Sequence, residues 1–230
     1  MTKKKIVFEA CVDSLESSIA AQEGGADRLE LCADLLEGGI TPSAGTIDLV
    51  SKKVNIPLMV MIRPRGGDFC YSNYEFGEMK RDIELAKQYN IWGVVFGILN
   101  EDGTIDKERS KELIRLARPL KITFHRAFDM THDPFEALND LINLSVERVL
   151  TSGQEISAYK GIKLIEELVK KSKDKIIIMP GGGINENNVA EIVNRGNVKE
   201  IHSSARINKE NGIMTTSAER VRKIKEAING

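Results

Sequence analysis

The stretch IVFEACVDS, residues 6–14, opens as a buried β-strand and runs into a helix start signal, yet it places Glu9 where another Val or Ile is expected. A strand covered on both faces reads as an apolar run, and an unpaired ionised carboxylate there is costly. Either this strand is peripheral, or its carboxyl end is a site. Working outward, the same kind of run recurs at 28–32, 58–64, 93–99, 121–128, 147–153, 176–182 and 200–206, which makes eight strands. Helical spacing fills the gaps between them. Phe76, Met79, Ile83 and Ala86 form one apolar stripe, and Ile162, Ile165, Leu168 and Val169 another. Asp13 with Glu16, Ser72 with Glu75 and Asp133 with Glu136 resemble capping boxes, and Pro134 suits a first helical position. Strand starts lie 22 to 35 residues apart, the length of a βα unit. The expectation is a single α/β domain over residues 1–230, an eight-stranded parallel (β/α)8 TIM barrel.

Composition narrows the partners. The 33 Lys and Arg balance 34 Asp and Glu to a net charge of −1, so no global field recruits nucleic acid or an anionic membrane. No apolar stretch is long enough to span a bilayer. Cys11, Cys32 and Cys70 are too few and too unevenly placed for a disulfide framework, which points to a reducing, cytoplasmic setting. No GxGxxG follows the first strand, against a dinucleotide fold. Barrels often associate through their helices, so a homodimer is expected.

In such a barrel the functional groups sit at the carboxyl ends of the strands, and alternate residues face inward. Glu9 and Cys11 end the first strand, Glu30 and Cys32 the second, Arg63 and Arg65 follow the third, His125 ends the fifth, and His202, Ser204 and Arg206 end the eighth. Within each strand these are spaced by two and share a face. Glu9 is then expected to face the site, neutralised by Arg63 or His125. A cysteine on a strand is more often a small buried hydrophobe than a ligand. MPGGGI (179–184) ends the seventh strand, where barrels commonly hold an anion on backbone N–H groups and a helix N-terminus. Gly181, Gly182 and Gly183 let the backbone approach an anion, and Arg206 adds a charge.

Taken in order, EACVDS, GGADRLELC, EGGITPSAG, MIRPRGGDFCYS, VVFGILNEDGTID, TFHRAFD, RVLTSGQ, MPGGGIN and IHSSAR resemble the CutC family of copper homeostasis proteins over residues 6 to about 206. The resemblance implies a TIM barrel and cytoplasmic Cu(I) handling, with Cys11 and Cys32 matching cysteines implicated in some members. Two thiolates suit Cu(I), with an imidazole from His125 or His202 as a third ligand and Cys70 on a loop as an additional donor or a free thiol. A second reading is an enzyme acting on a small anionic or phosphorylated substrate. In it Glu9, Glu30 and His125 exchange protons while Arg63, Arg65 and Arg206 hold the anion. No lysine stands at a strand's carboxyl end, which disfavours a Schiff-base aldolase. A third reading is a ligand-sensing barrel without turnover.

Overall fold

Short apolar strands alternate with capped amphipathic helices along the whole computed structural model, which describes residues 5–210 and 212–229. The strands are β1 (Val7–Val12), β2 (Arg28–Leu31), β3 (Leu58–Met61), β4 (Gly93–Phe96), β5 (Lys121–Phe124), β6 (Arg148–Thr151), β7 (Ile177–Pro180) and β8 (Glu200–Ser203). Every ladder between them is parallel, in the order β7-β6-β5-β4-β3-β2-β1-β8. β7 and β8 pack side by side at the seam without a ladder among the described residues, so the barrel is nearly closed.

The helices are α1 (Leu15–Glu23), α2 (Ala44–Lys53), α3 (Asn73–Ala86), α4 (Lys107–Ala117), α5 (Pro134–Asn143), α6 (Ile162–Ser172), α7 (Val189–Gly196) and α8 (Ala218–Asn229). Sequence signals explain several of their starts. Ser72 and Glu75 form a reciprocal capping box on α3, and Asp133 caps α5 with Pro134 in its first turn. Phe76, Met79, Ile83 and Ala86 are the buried face of α3, as their spacing predicts. The start of α1 differs from expectation. Ser14 is its cap, accepting from Ser17 N–H, while Asp13 accepts from the Ser17 hydroxyl and pairs with Arg206.

Strands also stop earlier than their apolar runs. After β5 the chain turns at His125 into a 3-10 segment, Arg126–Met130. After β8, Ala205 takes a positive φ of 46° and breaks the alternation, and a hairpin of β9 (Arg206–Asn208) and β10 (Met214–Thr216) follows. Outward residues such as Phe8, Leu29, Val60, Val94 and Phe124 pack into the shell between strands and helices. The inward set is separate. Cys11, Cys32, Met59, Met61 and Val95 form a cluster of their own, with Trp92 against it.

Candidate functional site

The barrel's interior is built on charge. Arg28 on β2 donates to Glu9 and to Glu200, and Arg148 on β6 reaches the same Glu200 oxygen at 3.2 Å. Both guanidiniums lie over the Trp92 ring, at 5.3 and 4.9 Å from its centroid. Two arginines and two carboxylates cancel, which makes burial of all four tolerable. Glu9 is therefore neutralised by Arg28, and the expected partners Arg63 and His125 are engaged elsewhere. The register places Glu9 opposite Arg28 and His202, one step before Cys11 and Glu30. It does not line the cavity above, whereas Glu30 does.

Above that layer two strand ends bring sulfur together. Cys11 and Cys32 are buried with their Sγ atoms 3.8 Å apart, and Cys32 Sγ lies 3.6 Å from Glu30 Oε2. Gly39 makes room for them. A Cβ there would stand 3.0 Å from Cys32 Sγ and 3.6 Å from Met61 Cε. The Cys11 sulfur beside it, together with burial, pushes the Cys32 thiol well above its usual value. Glu30 Oε2 also meets His202 Nε2 at 2.9 Å, and Glu9 Oε1 lies 4.0 Å from the same nitrogen. Burial alone would raise the Glu30 carboxyl and lower His202, but their mutual attraction wins. Glu30 is held below its ordinary value and His202 well above. The two form an ion pair, so the second interior layer is neutral as well. Cys11, Glu30 and Cys32 bring one ligand atom each within 4.8 Å of one another, as do Glu9, Glu30 and His202.

A cavity of about 660 Å³ opens over this layer, in the range of small-molecule sites. Cys11, Glu30, Met61, Arg63, His125 and His202 form its floor and lower wall. His125 is neutral, because burial, joined by the charge of Arg63, pulls it down to about 3. Its Nδ1 accepts from Ala127 N–H at 3.2 Å, which assigns the ring proton to Nε2. That Nε2 has no protein partner among the described residues. Gly97 again supplies the space, since a Cβ there would come within 2.6 Å of His125 Nδ1.

The remaining candidates divide. Gly182, Gly183, Ser204 and Arg206 line the cavity, whereas Gly181 packs behind it against Leu150 and His202. Arg206 is committed to Asp13 at 3.1 Å and to the Met214 carbonyl. Arg65 turns away to Glu75, Asp68 and the Cys70 carbonyl, and neither Arg65 nor Cys70 lines the cavity. The expected helix N-terminus after β7 is also displaced. Asn185 to Asn188 form their own turn, with Asn185 N–H on Asn188 Oδ1 at 2.9 Å, before α7 begins.

The family model that matches the chain is that of the CutC family, over residues 6–207. The chain belongs to the CutC family. Among curated relatives, the copper homeostasis protein cutC homolog of Mus musculus is 53% identical over 207 residues, covering 90% of this chain and 76% of the mouse protein. The solved CutC structure from Streptococcus agalactiae superposes with a TM-score of 0.83 at 33% identity, covering 86% of this chain and 98% of that one. A phosphoribosylanthranilate isomerase from Pyrococcus furiosus matches at TM-score 0.63 and 15% identity, over 97% of this chain and 98% of that one, a likeness of fold alone. The CutC barrel thus agrees with the eight-strand reading of the sequence.

Sequence reasoning missed several residues of this CutC-family site. Arg28 and Glu200 each stand two positions before a residue it singled out, Glu30 and His202, so the same alternation pointed at them. Arg148 carries no such neighbour, and only its place in a strand marks it. Asp129 was also missed. It lines the cavity and accepts from Arg126 Nε at 2.8 Å, Ser152 N–H and hydroxyl, and Gln154 N–H. The run HRAFD held the clue, since its charges at Arg126 and Asp129 fall on one side of a tight turn.

Proposed function

We propose that this CutC-family barrel binds and handles Cu(I) in the cytoplasm through Cys11 and Cys32. The observation that supports this best is the sulfur pair, 3.8 Å apart in a buried setting with Cys11 in the cavity wall. Soft thiolates select Cu(I), and the Met61 thioether in the same cluster adds to the soft character. Binding displaces protons, because the Cys32 thiol is pushed up and must ionise to coordinate. The names of the curated relatives point the same way. No helix of the described residues is long and apolar enough to cross a membrane. The test is an anaerobic Cu(I) competition titration of the reduced protein. One tight equivalent is expected, lost in Cys11→Ala/Cys32→Ala with the circular dichroism spectrum unchanged, and retained in Cys70→Ala. Retention of binding by the double variant overturns the assignment.

A second reading rests on His125. A buried neutral imidazole with its Nε2–H unclaimed, beside the Glu30 carboxylate in a small-molecule cavity, suits acid–base chemistry on a small anion, the imidazole donating to a developing oxyanion. No lysine lines the cavity among the described residues, so amine catalysis has no candidate there.

A further inference from the structure

Arg63 is a buried cation in search of a counter-charge. It is 5% exposed and lines the cavity. Its N–H groups go to the carbonyls of Glu37, Gly39 and Gly67 at 2.8, 3.0 and 3.0 Å. No carboxylate pairs with it among the described residues. The other arginines in the wall are matched: Arg126 with Asp129 at 2.8 Å, Arg206 with Asp13 at 3.1 Å, and Arg220 with Glu186 at 3.2 Å. The carboxylate of Glu37 sits at the exposed rim beside Gly66. Glu30 Oε2 is already occupied by His202 Nε2 at 2.9 Å, which leaves Arg63 as the cation of the cavity floor with no carboxylate against it among the described residues. A buried charge of that kind is stabilised by an anion.

Two further groups in the floor lack partners. His125 is 3% exposed, with Nε2–H free to donate, and Glu30 is 1% exposed, with Oε1 free to accept. A cation and a neutral donor beside a single acceptor call for a monoanion that also carries a hydroxyl. We propose that the cavity binds a small hydroxy-carboxylate, its carboxylate held by Arg63 and His125 and its hydroxyl donating to Glu30. A phosphate ester fits less well. Its second negative charge exceeds the single free positive charge, the chain after β8 enters a hairpin where a helix N-terminus would serve, and Asn188 caps the turn before α7. The volume leaves room for a longer body beyond the acid head. This takes the second reading further by naming its ligand class, and it concerns binding alone, so absence of turnover does not bear on it.

The experiment is calorimetry of the copper-free reduced protein with lactate, glycerate and gluconate, with propionate and inorganic phosphate as comparators. It is paired with proton–nitrogen NMR of the ¹⁵N-labelled histidines. At least one hydroxy acid is expected to bind saturably at one equivalent, to shift the His125 Nε2–H resonance, and to bind more tightly than propionate. Arg63→Gln should weaken it at least about tenfold, the loss expected of a charged hydrogen bond. Cys70→Ala, outside the cavity, should leave it unchanged, and because the protein is copper-free throughout, the outcome does not depend on the copper assignment. No saturable binding of any hydroxy acid by the native protein overturns it, as does preferential binding of phosphate. Should Arg63→Gln fail to fold, His125→Asn decides: weakened binding with an intact fold supports the site, and unchanged affinity overturns it.

Discussion

Glu200 holds Arg28 and Arg148 at once, and both guanidiniums depend on it inside the barrel. Burial and the nearby Arg28 charge lower Arg148, while its carboxylate neighbours act against that shift. Removing one member of such a network strands the others, at a typical cost of about 3–5 kcal/mol. Glu200→Gln is therefore expected to lose about that much in equilibrium urea unfolding, whereas a surface change such as Glu219→Gln should be near neutral. At this scale the sequence was legible wherever polar residues repeat with period two, because the pleat puts them on one face. Cys11, Glu30 and His202 were found that way. The pairing of Cys11 with Cys32 was legible too, but which carboxylate meets which cation was not, because alternation gives a direction and no distance. Choosing Arg28 over Arg63 for Glu9 needs the register between neighbouring strands, which no local pattern encodes.

Elements were read best where local chemistry and burial agree. In α3 the apolar stripe and the capping box specify the same helix, and both are present. Ser72→Ala removes one half of that box and should cost about 1 kcal/mol, read as a lowered thermal midpoint. Helix α1 was read less well because Asp13 and Ser14 are both competent caps, and the pull of Arg206 from the far end of the chain decides between them. The same competition explains the eighth strand. Continuing HSSAR as a strand is locally reasonable, but Ala205 adopts a left-handed conformation and sends Arg206 into a hairpin, an outcome fixed by tertiary contacts such as Thr216 with the Ser204 carbonyl.

For the molecule as a whole, the two buried histidines set opposite limbs of a pH profile. His202 is raised in the folded state, so its contribution is complete below its ordinary value of 6.5 and is lost as pH climbs through the folded value. His125 is drawn down to about 3, so its contribution is complete above 6.5 and is lost as pH falls toward that value. Glu30, held low, adds a further loss below its ordinary 4.5. Stability should peak near pH 6.5, with limbs of about 1.4 kcal/mol per pH unit for each proton exchanged. Urea unfolding between pH 4 and 9 checks this. His202→Gln should flatten the alkaline limb, and His125→Asn the limb between 6.5 and 4.5. The architecture itself was open to the sequence because eight strand–helix units in this length close in few ways, while the interior charge balance had to await three-dimensional placement.

The seam between β7 and β8 gives this barrel a joint. A fully laddered cylinder resists widening at every strand pair, since any dilation breaks backbone hydrogen bonds. Here the pair that carries the Gly182–Gly183 turn on one side and Ser204 on the other has no ladder among the described residues and is tied by the Ser203 hydroxyl donating to the Ile184 carbonyl at 2.6 Å. Those two turns can move apart for the loss of that one side-chain bond and no ladder bond, so the cost of admitting a guest falls on one edge of the mouth.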